Sequence, residues 1–234
     1  MKILVCISKA PDTTSRIAFT EGDTQFDKNG VQFIVNPYDE WYALVRALEL
    51  KEAQGGSVTT ITVGEADCDP VIRKALAIGA DDAVRIDANP SDALQVASLI
   101  ANHASDGGYD LVLCGKETID HNGSVVGGML AELMNASFVS LATSLEVEGG
   151  VVKATREAAG GLESVEASMP AVVSAAKGMA EQRIPNMRGI MAARTKPLNV
   201  VPAGDALQGA TVAKFELPPA KGDCKMISAD QPEE

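Results

Sequence analysis

The residues best suited to ligand chemistry lie in one glycine-rich stretch, Gly115–Met134, which reads GKETIDHNGSVVGGMLAELM. The polar side chains in it that could bind a ligand are Lys116, Asp120, His121, Asn122 and Ser124. Backbone amides at a helix start near Ser124 would form an anion site, because the first amides of a helix have no intrahelical partners. Glycines at 123, 127 and 128 would let a ligand or a strand come close. The stretch is therefore a candidate phosphate-binding loop.

A plainer interpretation of the same stretch stays open. Gly115 would only end a strand, and Gly127–Gly128 would only allow a helix to pack closely on a sheet. A glycine inside a helix costs about 1 kcal/mol relative to alanine. The glycine pair therefore indicates a close approach, but that approach could be to a ligand or to a neighbouring strand.

The rest of the sequence contains no catalytic constellation. The first apolar run is not followed by GxGxxG, and no GxxxxGK[ST] or GxSxG motif occurs. Of the two histidines, His103 has polar neighbours late in a predicted helix. His121 has no cysteine or acidic pair around it at metal-binding spacing. We therefore predict no catalytic residue and no metal site.

Charge and apolar content restrict the class of protein. The chain of 234 residues has a net charge of −12, which argues against a nucleic-acid binder because such proteins present a basic face. No stretch approaches the roughly 20 apolar residues of a membrane span. Cys6 and Cys114 lie in apolar runs without CxxC spacing, which indicates reduced core thiols. We predict a soluble, cytoplasmic protein without membrane insertion.

Alternating strand and helix patterns would position the glycine-rich stretch. The predicted strands are Ile3–Ile7, Val58–Val63, Ala83–Ile86 and Leu111–Cys114, and Ile3–Ile7 is a continuous apolar run, as in a strand covered on both faces. The predicted helix starts are Asp39, Asp69–Pro70, Ser91 and the region of Ser124. Right-handed crossovers then give an α/β fold with a doubly wound parallel sheet. The strand carboxyl ends would meet on one rim, where such sheets bind ligands.

An excursion between the first strand and the first helix departs from this alternation. The sequences RIAF and VQFIVN flank DKNG there, which predicts a hairpin with its glycine, Gly30, at positive φ. From Met179 onward the chain is polar and is interrupted by prolines. Its acidic end, ISADQPEE, is predicted to be mobile unless a partner holds it.

The sequence of residues 143–170 predicts an antiparallel ribbon. The turn signals are Gly149–Gly150 and Gly160–Gly161, and the intervening segments are typical of strands. The segment after the ribbon, Ala171–Ala175, is apolar enough to rejoin the core.

Six segments, in order, resemble one protein family. They are MKILVCISKAPDT, VNPYDE, RKALAIGADDAVRI, LVLCGKETID, REAAGGLESVEASMPAVVSA and RIPNMRGIMAARTKPL, and they cover roughly residues 1–200. In them the chain is similar to the β subunit of electron transfer flavoprotein. The resemblance implies an α/β domain of the adenine-nucleotide-binding (α-hydrolase-like) type, with the ribbon as an antiparallel β extension.

The resemblance also implies a function. Such proteins are αβ heterodimers that carry electrons and have no bond-making catalysis of their own. The redox FAD is held mainly by the α subunit, while the β subunit forms a base for it and holds a structural AMP. Electrons pass from acyl-CoA dehydrogenases of fatty acid oxidation, and from related flavoenzymes, to electron transfer flavoprotein-quinone oxidoreductase.

The AMP site that the resemblance implies lies on the rim. The matching positions of this chain are Cys6, Asn36, Val63, Gly115, Lys116, Asp120, Asn122, Gly123, Ser124, Val125 and Val126. The chain departs from the family where valines stand at 125 and 126 in place of polar side chains. Backbone amides would still hold a phosphate, but the pattern of flavin-bifurcating members is lost. AMP, a weaker nucleotide site and an empty pocket all stay open.

A partner-recognition loop is implied at about residues 180–197. Met187 matches the family's apolar anchor, and a flexible side chain there suits several partners. The cations around it are Arg183, Arg188, Arg194 and Lys196, with no acidic residue between 183 and 196. In an acidic chain this local basicity would steer acidic partners.

The FAD and the α subunit are expected to contact other parts of the chain. Thr13 and Tyr38 match positions near the flavin ring, and Glu157 matches an acidic residue at the αβ interface. We predict a nucleotide-binding domain, residues 1–200, and a C-terminal arm towards the partner subunit, residues 201–234. Two other functions stay open. One is a flavin-bifurcating protein with a second FAD in the β subunit. The other is a stand-alone adenine-nucleotide-binding module of the same fold.

Overall fold

Strands and helices alternate along the chain in the computed structural model, which describes residues 1–224 and 226. In chain order the strands are β1 Lys2–Cys6, β2 Lys9–Pro11, β3 Phe19–Thr20, β4 Gln25–Phe26, β5 Phe33–Val35, β6 Ser57–Val63, β7 Asp82–Asp87, β8 Leu111–Gly115, β9 Ser137–Glu148, β10 Val151–Ala158, β11 Gly161–Ser168, β12 Ala171–Ala175 and β13 Leu198–Pro202. The α-helices are α1 Asp39–Gln54, α2 Asp69–Ile78, α3 Ala93–Gly107, α4 Val126–Leu133 and α5 Met187–Ala193. No helix in the described part is long and apolar enough to cross a membrane.

The chain forms two compact units. The larger contains residues 1–15 and 30–211, and the smaller contains 16–29 and the described residues from 212 onward. Within the smaller unit β3 pairs antiparallel with β4, and the rings of Phe19 and Phe215 stack with centroids 4.9 Å apart. The predicted arm, 201–234, is described only in part, and its acidic end ISADQPEE lies outside the described residues.

A nine-stranded sheet organises the larger unit. Its strand order is β11-β10-β9-β12-β8-β1-β6-β7-β13, and every neighbouring pair from β9 to β13 is parallel. The chain builds outward from β1 through β6 to β7 and then returns to the other side of β1 to form β8. The order therefore reverses between β1 and β8, as it does in a doubly wound sheet. The predicted α/β fold with a doubly wound parallel sheet is confirmed.

Apolar clusters cover both faces of the sheet. Ile3 of β1 packs with Leu44 of α1 on one face, while its neighbour Leu4 belongs to the cluster of α3 and α4 on the other. Successive strand residues point to opposite faces, so a strand covered on both faces is buried at nearly every position. This explains the continuous apolar runs of β1 and β8, whereas β6 buries Thr59, Thr60 and Thr62 as well.

The ribbon follows the prediction closely. β10 pairs antiparallel with both β9 and β11, and the connecting turns have positive φ at Gly149, Gly150 and Gly160. β12 then enters the parallel part of the sheet between β8 and β9. The predicted antiparallel extension and the return of Ala171–Ala175 to the core are both confirmed.

The predicted hairpin between RIAF and VQFIVN is wrong. β5 pairs instead with β2, with Lys9 opposite Val35, because this pairing buries Ala10 and Val35 completely. In the smaller unit, β3 and β4 form a separate short hairpin. Only the positive φ of Gly30, 70°, is as predicted.

The helix starts predicted at Asp39, Asp69 and Ser91 are each displaced by one residue. Tyr38 and Cys68 occupy the N-cap positions of α1 and α2, and neither makes a side-chain cap. The two aspartates instead lie in the first turn, where a carboxylate faces the positive end of the helix dipole. Asp92 caps α3, because its carboxylate accepts the amide of Gln95 at 2.7 Å.

Strand β13 was not predicted from the sequence. It pairs in parallel with β7 at the edge of the sheet, from Leu198 opposite Ala83 to Pro202 opposite Asp87. An edge strand buries little and tolerates proline. The polar, proline-interrupted sequence after Met179 therefore concealed it.

Candidate functional site

The rim at the carboxyl ends of β1, β6 and β8 brings together part of the predicted nucleotide site. Cys6 and Cys114 are buried in one apolar cluster, against which Val63 and Val126 pack while partly buried. Burial raises the pKa of both thiols, that of Cys114 to about 12. Both thiols are therefore neutral, and this part of the rim is an apolar wall beside the point where the strand order reverses.

Asn36 lies beneath the rim and does not face outward. Its side chain is fully buried, and its amide nitrogen donates to the carbonyl oxygen of Glu117 at 3.0 Å. The backbone amide of Ile119 donates to the Asn36 side-chain oxygen, also at 3.0 Å. Asn36 therefore fixes the loop after β8 through two hydrogen bonds.

A buried carboxyl, Glu40, was missed by the sequence analysis. Its Oε2 accepts the amide of Ser8 at 2.7 Å, and its Oε1 is hydrogen-bonded to the Ser8 hydroxyl. Burial is the largest cause that raises the pKa of Glu40 to about 8, and the hydrogen bonds from Ser8 oppose it. A signal was present, because Glu40 precedes Ala43, Leu44 and Ala47 on the buried face of α1.

The close approach of Glu40 explains why residue 115 is a glycine. A Cβ at Gly115 would lie 2.8 Å from Cγ and 2.9 Å from the backbone nitrogen of Glu40. Only glycine allows β8 to end so close to the start of α1. Glu40 thus joins the end of β1 to α1 directly beside the last residue of β8.

Charged and polar side chains of the loop after β8 bind one another. Lys116 forms an ion pair with Glu117 at 2.9 Å, and the hydroxyl of Ser124 donates to the same carboxylate at 2.9 Å. Asn122 and Ser124 adopt left-handed backbone conformations, with φ of 47° and 52°. The other predicted nucleotide residues of this loop are exposed: Asp120, Gly123 and Val125.

The start of α4 supports parts of both interpretations of the glycine-rich stretch. No side chain caps the helix, so its first amides are open to an acceptor. Gly127, however, is explained by packing, since a Cβ there would lie 2.9 Å from Cys114 Sγ and 3.1 Å from Cε2 of Phe138. Uncapped amides at a helix start are one feature of anion sites, while Gly127 allows helix and sheet to come together.

A cavity of about 430 Å³ borders the loop after β8. Its lining residues are Pro37, Tyr38, Asp39, Tyr42, Lys116, Glu117, Ile119, Asn122 and Lys177. The structure therefore places Tyr38, predicted near FAD, in the same cavity as Lys116 and Asn122, predicted at AMP. Thr13 is exposed after β2, and Glu157 is exposed on β10.

The predicted recognition loop is held tightly at its base and is exposed at its tip. Met187 begins α5 and is 72% exposed. Arg183 forms an ion pair with Glu52 of α1, at 2.6 Å, which raises the pKa of Arg183. Lys196 donates to two carbonyl oxygens at the end of α2, and burial lowers its pKa. The expected cluster of four cations is thus reduced, because only Arg188 and Arg194 are exposed.

Known proteins of one family match this chain along most of its length. The family model described as "Electron transfer flavoprotein domain" matches residues 23–206. The protein named "Electron transfer flavoprotein subunit beta" of Bacillus subtilis (strain 168) is 33% identical over 246 residues, covering 100% of this chain and 94% of its own. The protein of that name from Syntrophomonas wolfei is 34% identical over 235 residues, covering 100% and 92%. The human one is 33% identical over 211 residues, covering 88% and 82%. Among residues 1–224 and 226, no group of three or more metal-ligating side chains comes together.

Proposed function

Because the chain belongs to the electron transfer flavoprotein family, we propose that it is the β subunit of an αβ heterodimer that carries electrons. The observation that carries the proposal is the full-length match to relatives named as β subunits. The α subunit would hold FAD, which supplies the electron-carrying chemistry when bound. The residues of this chain would bind, orient and shield, and would make or break no bonds themselves.

The rim fits a structural AMP. Cys6, Val63 and Val126 form an apolar wall that suits an adenine base, and the open amides at the start of α4 suit a phosphate. Lys116 would contribute little, because Glu117 already neutralises it. Asn36 would act indirectly, by fixing the loop that faces the nucleotide.

The recognition loop would contact the electron-donating and electron-accepting partners. We assign acyl-CoA dehydrogenases and related flavoenzymes as donors and electron transfer flavoprotein-quinone oxidoreductase as acceptor, in the cytoplasm. Met187 would be the apolar anchor, with Arg188 as the nearest exposed cation. Arg183 would support the loop from below through Glu52. Thr13 and Tyr38 would lie near the flavin, and Glu157 at the subunit interface.

Co-expression with an α subunit tests the proposal. We expect a yellow heterodimer that contains one FAD and releases AMP when it is denatured. A purified pair without flavin absorbance would refute the electron-carrier function. Two FAD per heterodimer would instead indicate a flavin-bifurcating protein. A stable monomer that binds AMP and ignores the α subunit would indicate a stand-alone nucleotide-binding module.

A further inference from the structure

The first part of the predicted C-terminal arm runs along a polar stripe of α3. The stripe consists of Ser91, Gln95, Ser98 and Asn102, which share one side of the helix. The side chain of Asn102 donates to the carbonyl oxygen of Asp205 at 2.9 Å. The amide of Leu207 donates to the Ser98 hydroxyl at 3.1 Å, and the side chain of Gln208 donates to the Ser91 hydroxyl at 2.9 Å. The arm therefore runs antiparallel to α3.

The arm and the helix match in length along this contact. From residue 92 to residue 102 a helix rises about 15 Å, and the five steps from residue 205 to residue 210 span up to about 17 Å when extended. Residues 205–210 form neither helix nor strand. Side chains of α3 therefore satisfy backbone groups of the arm that no regular element satisfies.

Asp92 joins the end of this contact to the start of α3. Its Oδ1 accepts the amide of Gln95 at 2.7 Å, while its Oδ2 accepts the amide of Gly209 at 2.6 Å and that of Ala210. The hydrogen bond from Gln95 is the largest cause that lowers the pKa of Asp92, so the group is an ionised acceptor at neutral pH. A Cβ at Gly209 would lie 3.2 Å from Oδ2, so a glycine suits this close approach. One carboxylate thus caps the helix with one oxygen and holds the arm with the other.

Beyond residue 211 the arm continues into the smaller unit, which has little core of its own. The amide of Phe215 donates to the carbonyl oxygen of Asp23 at 2.7 Å, and its ring stacks on Phe19. A hairpin of two short strands is marginally stable by itself in water. The smaller unit nevertheless exposes the apolar side chains of Ile17, Val212 and Leu217. A partner surface that covers these side chains would stabilise it.

We propose that Asp92 is a positioning residue for assembly of the heterodimer, because it fixes the arm at residues 209 and 210 and so orders the chain that leads to these apolar side chains. The proposal rests on the proposed function, which supplies the α subunit as the partner. A segment that is ordered before binding loses less conformational entropy when it binds. The arm held by Asp92 should therefore bind the α subunit more tightly than a free arm.

The test uses Asp92→Asn in the full-length chain, alone and with the α subunit. Asparagine is also a good N-cap, so α3 should keep its start. Its amide nitrogen would replace Oδ2 and cannot accept the two amides of the arm. We expect trypsin to cleave after Lys214 faster than in the wild type, and the dissociation constant of the heterodimer to rise about tenfold. Amide hydrogen exchange within α3 should stay at the wild-type rate.

Two further variants make the test specific. Asp106→Asn makes the same chemical change at an exposed position near the other end of α3, and it should alter neither cleavage nor dissociation. Ala210→Pro removes one of the two amides from the side of the arm. It should shift both measurements in the same direction as Asp92→Asn.

Three results would overturn the assignment of Asp92. Unchanged cleavage in Asp92→Asn would show that Asp92 does not hold the arm, and an unchanged dissociation constant would show that holding the arm does not serve assembly. Faster exchange throughout α3 would show that Asp92 acts only by stabilising the helix. A wild-type chain that does not bind the α subunit would be a different failure, because it would refute the proposed function itself.

Discussion

At the scale of single residues, Glu40 carries the clearest dependence on pH. Its pKa is raised from 4.5 to about 8 in the folded chain, mainly by burial. Between these values the native state holds a proton that the unfolded state has released. The free energy of unfolding therefore falls as pH rises through this window, by about 1.4 kcal/mol per unit of pKa difference.

Glu40→Gln should remove this dependence, because the amide can keep both contacts with Ser8 and does not titrate. We expect the variant to gain stability relative to the wild type from pH 5 to pH 8, by a few kcal/mol on the order of the linkage above. Urea unfolding at several pH values measures the difference. Glu146→Gln, an exposed position on β9, is the control, and parallel curves for wild type and Glu40→Gln would contradict the prediction.

The adjacent glycines of α4 provide a second test at the residue scale. A Cβ at Gly127 would lie 2.9 Å from the buried Cys114 Sγ, whereas one at Gly128 meets only ordinary contacts, the nearest at 3.5 Å. Gly128→Ala should be neutral or stabilising by up to about 1 kcal/mol, from helix propensity. Gly127→Ala should be less stable than Gly128→Ala by about 1–3 kcal/mol, from overpacking. Thermal unfolding of the two variants compares them, and equal stability would show that helix and sheet adjust freely.

At the scale of elements, the recognition loop depends on a clamp from α2. The guanidinium of Arg73 donates to the carbonyl oxygens of Ala193 and Lys196 at 2.8 and 2.7 Å. Arg73→Met should lose these bonds and about 1–3 kcal/mol of stability. It should also speed amide hydrogen exchange in α5 and slow electron transfer from a dehydrogenase, with flavin content unchanged.

Arg188→Met is the matched control for the clamp, because Arg188 is an exposed cation of the same loop. Hydrogen exchange in α5 should stay at the wild-type rate in this variant, while its association with an acidic partner weakens. If exchange in α5 were the same in both variants, Arg73 would not be the residue that holds the loop.

Elements that depend on neighbouring residues could be predicted from the sequence, whereas elements that depend on contacts with distant segments could not. β1 and β8 were predictable because burial on both faces favours an apolar residue at each position, and β6 because its valines, isoleucine and threonines are typical of strands. The ribbon was predictable from local turn chemistry at its glycine pairs. The pairing of β5 with β2 and the edge strand β13 were not, because they depend on contacts between distant segments.

The same distinction applies to the candidate site. The rim position of Cys6, Val63 and Val126 follows from sheet topology, which the alternation of elements predicts. The two hydrogen bonds of Asn36 to a loop some eighty residues away, and the Ser8–Glu40 contact, arise only from tertiary packing. The reduction of the basic cluster has the same origin, since Lys196 is turned into the end of α2.

At the scale of the whole molecule, the rim joins segments that are far apart in sequence. Cys6 lies at the end of β1, Val63 at the end of β6 and Val126 at the start of α4, so a ligand on this wall would contact three elements at once. The unfolded chain does not bring these segments together. A nucleotide that binds there would bind the native state alone.

Binding to the native state alone raises stability by mass action, by about 2.7 kcal/mol when the free ligand is at 100 times its dissociation constant. We therefore expect AMP to raise the midpoint of thermal unfolding in a concentration-dependent way. Because Lys116 is already paired with Glu117 and the base would pack on the apolar wall, adenosine should retain part of the effect.

Val126→Asp, which places a carboxylate at the start of α4, should abolish the effect of AMP through repulsion of the phosphate. Val200→Asp on the exposed edge of β13 is the control for an added charge, and it should respond to AMP like the wild type. An equal response to AMP in wild type and Val126→Asp would place the nucleotide elsewhere on the molecule.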